Sequence, residues 1–181
     1  MKSLKYISVI VISFGLITYL GWLWIQNNIH ENLIGREKLA NYHWMKFQNE
    51  LSDRNKYLNR INYANSDSLK FYISRSKILI KDDKNSKSSI YNEFDVNRYM
   101  TKFDSLSEMK PIFMKLNLAK TSYNQSARAY NLYRGQLPNL FIAHKYNFIN
   151  MKLFILNYGF ENRDPKVEDI EFQKWADSVN F

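Results

Sequence analysis

From Tyr6 to Ile25 the chain runs twenty residues without a charge (YISVIVISFGLITYLGWLWI). At ~1.5 Å per residue such a helix measures ~30 Å, the depth of a bilayer's hydrocarbon core. Tyr6 near one end and Trp22 and Trp24 at the other stand where aromatic rings settle at membrane interfaces. A cleaved signal peptide is the competing reading. Against it, the run exceeds the usual ~7–15 apolar residues, and Gly21-Trp22-Leu23-Trp24 offers no small-x-small cleavage site. The pattern predicts an uncleaved single-pass anchor over residues 6–25, preceded by a short N-terminus of residues 1–5.

Beyond the anchor the apolar positions follow helical spacing. Trp44, Leu51 and Leu58 recur every seven residues, Phe47 and Ile61 fill the seam between them, and Arg54 interrupts it. The stripe extends back through Ala40 and Leu33, so the first helix is expected to continue out of the anchor. A second helix is expected near Asp67 to Ile80, with Leu69, Ile73 and Ile80 on one face. Lys81–Ser89 (KDDKNSKSS) holds no apolar residue and reads as a loop. A third helix is expected to start at Asp95 as N-cap, turning Val96, Tyr99, Met100, Phe103 and Leu106 to the core. Pro111 is expected to kink or restart it.

Leu116, Tyr123, Tyr130 and Leu137 then fall seven apart, with Ala119, Ser126 and Tyr133 in the adjacent seam, and Pro138 ends the run. Large rings beside small residues suit close antiparallel helix packing. Residues 141–158 are strongly apolar but interrupted by His144, Lys145, Asn150 and Lys152, too often for a second span. They are expected to pack on the bundle or lie on the membrane surface. Asp164-Pro165 marks the start of a terminal helix through Trp175. The expected fold is all-α: one N-terminal membrane helix, an antiparallel bundle of long helices over residues 26–163, and a C-terminal helix and tail over 164–181.

Composition supports helices and removes several chemistries. Gly (5) and Pro (3) are scarce among 181 residues, which disfavours a loop-rich β sandwich. The absence of cysteine excludes disulfides, thiolate metal sites and cysteine nucleophiles. Lys2 and Lys5 precede the span, and the first basic residues after it are Arg36 and Lys38. The positive-inside rule therefore places the N-terminus in the cytoplasm and the bundle outside. The formal net charge is +9; setting aside Lys2 and Lys5 leaves 24 basic against 17 acidic residues, a balance of +7. The basic residues are dispersed and match no nucleic-acid-binding motif, so nucleic acid is not an expected partner.

The stretch from Ser122 to Phe148 (SYNQSARAYNLYRGQLPNLFIAHKYNF) resembles the C-terminal signature of the LemA family of bacterial membrane proteins. Two Tyr-Asn pairs, Tyr123-Asn124 and Tyr130-Asn131, are followed by Pro138, Ala143, Phe148 and Phe154. Upstream, Leu33-Ile34, Trp44, Phe47, Leu51 and Arg54 fit the family's first helix at the same intervals. The chain departs from the pattern at Lys56–Ile61, where Asn59 stands in place of a proline, and at Ile112-Phe113 in place of a Thr-Glu pair. It reads as a divergent member. The resemblance implies one N-terminal span, a bundle of long helices and a place in the bacterial cytoplasmic membrane. It implies no reaction, because the family has no established catalytic residues.

No pattern in the chain calls for catalysis, a cofactor or a metal. Asp82-Asp83 falls in the expected loop, and Glu168-Asp169 in the opening turn of the terminal helix, where acids favour the dipole. Neither pair has a base nearby in sequence. His30, His43 and His144 are widely separated, and no His-Glu-x-x-His, Gly-rich phosphate loop or Gly-x-Ser-x-Gly elbow is present. The Tyr-Asn pairs read either as a recognition groove or as an interhelical seam whose amides and hydroxyls close hydrogen bonds; seven-residue spacing favours the seam. The expected function is a non-enzymatic scaffold or adaptor at the cell envelope. Its expected partners are membrane lipid, an unidentified membrane or envelope protein, and further copies of itself. The alternative is a basic surface module that binds anionic lipid or envelope polymer.

Overall fold

The computed structural model describes residues 2–60, 67–82, 87–101 and 106–179. Among these the chain is all-helical, with six helices and no strand. They are α1 (Lys2–Arg60), α2 (Asp67–Asp82), α3 (Lys87–Met100), α4 (Leu106–Gly135), α5 (Asn139–Lys145) and α6 (Pro165–Val179). The chain divides into two compact units. One comprises Met1–Leu39 with Arg128–Met151, the other Ala40–Ala127 with Lys152–Phe181.

α1 is a single helix of 59 residues. No proline interrupts it, and its glycines Gly15, Gly21 and Gly35 face open space. It is long and apolar enough to cross a membrane. The side chains from Ile10 to Ile25 are exposed, Phe14 at 69% and Ile17 at 66% among them. From Ile29 onward the same helix buries one stripe: Ile29, Leu33, Ala40, Trp44, Phe47, Leu51 and Leu58. Nothing in local helix propensity marks the change from exposed to buried; the seven-residue pattern does.

In the first unit, Ile29 and Leu33 of α1 form a core with Tyr130, Ile142 and Ala143, flanked by Tyr133, Phe148 and Met151. The Arg36 guanidinium lies 4.5 Å from the centre of the Tyr133 ring. In the second unit, Trp44 and Phe47 meet Tyr123, Phe154 and Tyr158. Ring centroids are 4.9 Å apart for Trp44–Tyr123 and 5.1 Å for Phe47–Phe154. Tilted and edge-to-face ring pairs of this kind add about 0.5–1.5 kcal/mol each beyond simple burial. α2 packs on α3, and α3 on α6.

Four sequence expectations need correction. α3 begins at Lys87, so Asp95 lies inside it rather than capping it. Ser89, Asn92 and Glu93 are buried polar residues in its first turns, and apolar periodicity could not see them. The expected Lys81–Ser89 loop shrinks from both ends, because α2 runs to Asp82 and α3 starts at Lys87; residues 83–86 lie outside the described residues. α4 starts at Leu106, ahead of Pro111, so the restart precedes the proline. At the sixth residue of α4, Pro111 cannot donate to the Ser107 carbonyl and its ring crowds that carbonyl, a local cost the helix absorbs one turn in from its start. Finally, α4 stops at Gly135, and Leu137, expected in the seam, is 70% exposed. The residue before Pro138 is pushed out of helical conformation.

Elsewhere the helix starting with Pro165 follows Asp164, whose Oδ1 accepts the Lys166 N–H at 2.9 Å. Val96 and Met100 are buried, and Tyr99 is half-buried. Ile61 and Phe103, and the side chains of Leu69, Ile80 and Leu106, lie outside the described residues.

Candidate functional site

Among the described residues, the apolar segment beyond Phe148 pairs its backbone with no strand, and side-chain amides take that role. In the second unit Asn124 grips Phe154 at both ends of its peptide group. Its Nδ2 donates to the Phe154 carbonyl at 2.7 Å, and its Oδ1 accepts the Phe154 N–H at 2.9 Å. Asn117 holds Tyr158 in the same way, at 2.9 and 3.0 Å. In the first unit Asn131 holds Met151, at 2.8 and 2.9 Å. Asn117, Asn124 and Asn131 stand seven residues apart on α4, so each presents its amide on one helix face.

The tyrosines of the Tyr-Asn pairs work beside them. Tyr123 is buried and donates its hydroxyl to the Lys152 carbonyl at 2.7 Å. Tyr130 is buried and donates to the Ile149 carbonyl at 3.0 Å. Burial, followed by the charge of Glu37, holds the Tyr130 hydroxyl above its ordinary pKa. Arg134 adds a bond from Nε to the Phe148 carbonyl at 2.7 Å. Along the held segment Phe154, Leu156 and Tyr158 are buried while Ile155 is exposed, the two-residue alternation of extended chain.

A second polar device lies in the core of the second unit. Arg54, the residue that breaks the apolar seam of α1, is buried and pairs with buried Glu93 of α3. Its Nη1 and Nη2 donate to the two carboxylate oxygens at 2.6 and 3.0 Å, a bidentate pair. Ser76 and Tyr158 also donate to Glu93, Tyr158 at 3.2 Å. Asn55 Oδ1 accepts from Arg54 Nε at 3.1 Å and Nη2 at 2.8 Å. Burial works against the Arg54 charge, but Glu93 outweighs it and the pKa stays above the ordinary value. Burial, then the Glu93 charge, pushes the Tyr158 hydroxyl well up. Lys120 is also buried, which lowers its pKa; it donates to the Leu156 carbonyl at 2.8 Å and to Asn157 at 2.6 Å.

These groups satisfy one another within the core of the second unit. A cleft of about 320 Å³ opens beside the network, lined by Gln48, Asn49, Ser52, Asn55, Ser76 and Lys77. Its walls carry amides, hydroxyls, the apolar Leu51 and the Lys77 ammonium. Among the described residues no group of three or more His, Asp or Glu side chains is placed to hold a metal. His30 stacks on Tyr146 at 4.3 Å, His43 lies edge-on to Tyr42, and His144 is exposed. Asp169 accepts a hydrogen bond from Tyr91, and Glu168 lies in the first turn of α6.

The sequence-derived residues fall into distinct places. Trp44, Leu51, Tyr123, Asn124, Arg54 and Phe154 belong to the second unit's core and its polar edge. Tyr130, Asn131, Pro138, Ala143 and Phe148 belong to the first unit. Tyr6, Trp22 and Trp24 lie on the exposed part of α1, at 70%, 39% and 70% exposure. Sequence reasoning missed Glu93, Ser76, Asn117 and Lys120. Asn117 was within reach, because it extends the asparagine spacing by one more interval of seven. Glu93 was not, because nothing in sequence marks one acid among many as the partner of Arg54. Compared with known proteins, the chain matches no family model, no curated protein and no solved structure.

Proposed function

We propose that the chain is a membrane-anchored helical scaffold or adaptor of the bacterial cell envelope, a divergent relative of the LemA family without enzymatic activity. The observation that carries this reading is α1: one uninterrupted helix with a charge-free run over Tyr6–Ile25, exposed from Ile10 to Ile25, and a buried seam further on. A helix built this way uses its first part as an anchor and its second as the framework of a folded domain. Lys2 and Lys5 ahead of the span orient the N-terminus to the cytoplasm and the domain outward. The polar clusters support an adaptor rather than an enzyme, since Arg54, Glu93, Lys120 and the asparagines spend their hydrogen bonds on the chain's own backbone and core.

A reporter enzyme fused after Phe181 tests the topology. Activity outside the cytoplasm is expected, and activity inside would overturn the orientation. Crosslinking in intact cells from exposed positions of the folded domain tests the adaptor reading. Protein adducts that survive high salt are expected. Capture only of polyanion, lost as ionic strength rises, would favour the basic-module alternative.

A further inference from the structure

We infer that α5 and the turn after it lie in the lipid headgroup layer, with Phe141 inserted among the lipids and Lys145 set against their phosphates. The inference rests on the anchored reading of α1. Within the first unit, contacts fix the height of this segment along α1. Lys145 Nζ donates to Gln26 Oε1 at 3.0 Å, and Gln26 directly follows Ile25, the last residue of the uncharged run. His30 stacks on Tyr146 at 4.3 Å, and Ile142 and Ala143 pack with Ile29 and Leu33.

Ile29 is four residues beyond Ile25, ~6 Å along a helix at ~1.5 Å per residue. The polar layer on each side of a bilayer is about 5–7.5 Å deep, from a total of about 40–45 Å around a core of about 30 Å. A segment that touches α1 at Gln26, Ile29 and His30 therefore reaches into that layer when the anchor spans, its Lys145–Tyr146 end deepest. The core it shares with Leu33, ~12 Å beyond Ile25, extends past the layer's outer edge.

The exposed chemistry of the segment fits such a place. α5 buries Asn139, Ile142 and Ala143, and turns Phe141 outward at 62% exposure with Lys145 one turn further on the same face. Tyr146 follows at 45% exposure. An outward ring and a lysine one turn apart are residue types that membrane interfaces favour. Charge agrees as well. The sequence carries no Asp or Glu between Glu108 and Glu161, while the unit's two acids, Glu31 and Glu37, lie on α1.

The test uses the full chain in vesicles of phosphatidylcholine with a minority of phosphatidylglycerol. Having no native cysteine, the chain accepts one environment-sensitive fluorophore at Phe141→Cys, Lys145→Cys, Ile17→Cys or Leu39→Cys. Lipids carry a doxyl quencher either near the headgroup or deep in the acyl chain. Labels at Phe141→Cys and Lys145→Cys are expected to lose most of their emission to the shallow quencher and little to the deep one. The label at Leu39→Cys, ~21 Å beyond Ile25 on the same helix, is expected to keep its emission. If the Ile17→Cys label is quenched while both α5 labels behave like Leu39→Cys, the anchor stands and the inference is overturned. If no label is quenched, the anchor reading falls and the inference falls with it. Blue-shifted but unquenched α5 labels would mean that protein, a second copy or a partner, covers the face, and would also overturn it. Both α5 positions are exposed, and unchanged helical circular dichroism confirms that each variant is folded.

Discussion

Replacing Asn124 by alanine removes two hydrogen bonds at once, at 2.7 and 2.9 Å, and strands both polar groups of the Phe154 peptide. Phe154 itself is buried, at 1% exposure, so water reaches its backbone poorly. Each bond contributes a net ~0.5–1.5 kcal/mol, and an orphaned buried group costs ~1–3 kcal/mol. A loss of about 2–4 kcal/mol follows, a large part of the ~5–15 kcal/mol that typically holds a domain together. Asn124→Asp separates the two halves of the grip. The carboxylate still accepts the Phe154 N–H, but it turns an acceptor on the Phe154 carbonyl where a donor is needed. The aspartate variant should therefore be destabilised at neutral pH and recover in mild acid, where a protonated carboxyl donates again. Urea unfolding of the full chain in detergent, followed by circular dichroism, measures the global loss. Amide exchange at Phe154 measures the local one. Unchanged Phe154 protection in Asn124→Ala, with stability within about 0.5 kcal/mol of the parent, would refute the claim that side-chain amides hold this segment.

Further outcomes can be checked by the same unfolding assay. Tyr123→Ala opens a ring-sized hole beside Trp44 and should cost ~3–5 kcal/mol, whereas Tyr123→Phe loses one hydroxyl bond and should cost ~1 kcal/mol. Glu93→Gln leaves the buried Arg54 charge uncompensated and should cost ~3–5 kcal/mol; Arg54→Met with Glu93→Leu should recover much of that loss. Gly159 sits at φ +77°, and an added Cβ would lie 2.6 Å from Phe113 Cδ2, so Gly159→Ala should cost about 1–3 kcal/mol. Because the folded state holds the Tyr158 proton more tightly than the unfolded chain, its contribution is complete below the ordinary pKa of ~10 and is lost as pH rises above it. Thermal melts between about pH 9 and about pH 11 should fall more steeply for the parent than for Tyr158→Phe.

Seven-residue spacing made the apolar half of the fold legible. Ring and leucine positions such as Trp44, Leu51, Leu116 and Tyr123 needed only helical periodicity to be placed in the core. The polar half was hidden for a physical reason. A buried arginine is acceptable only opposite its carboxylate, and the distance in sequence between Arg54 and Glu93, 39 residues, carries no periodic signal. The same holds for α3, whose first turns bury Ser89, Asn92 and Glu93 and so look like loop to any hydrophobicity count. In the candidate site, the tyrosines and asparagines were visible as a repeated pair. What they hold, an extended stretch of backbone, was not visible, because nothing in an apolar run such as Leu153–Leu156 reveals that side-chain amides will take the place of a neighbouring strand.

That substitution has a consequence for how the chain can change length. Irregular segments usually tolerate insertions and deletions, since no ladder of bonds fixes their phase. Here each asparagine recognises one particular peptide group, Asn117 that of Tyr158 and Asn124 that of Phe154. The seven helical residues between the two asparagines advance ~10.5 Å, and the four residues between the two gripped peptides reach at most ~13 Å when fully extended. Removing one residue between Phe154 and Tyr158 leaves about 10 Å, with no slack, and also swaps the inward and outward faces of everything beyond the cut. A stretch without helix or strand is thereby as phase-locked as the interior of a sheet, and length variation among natural variants should collect elsewhere in the chain.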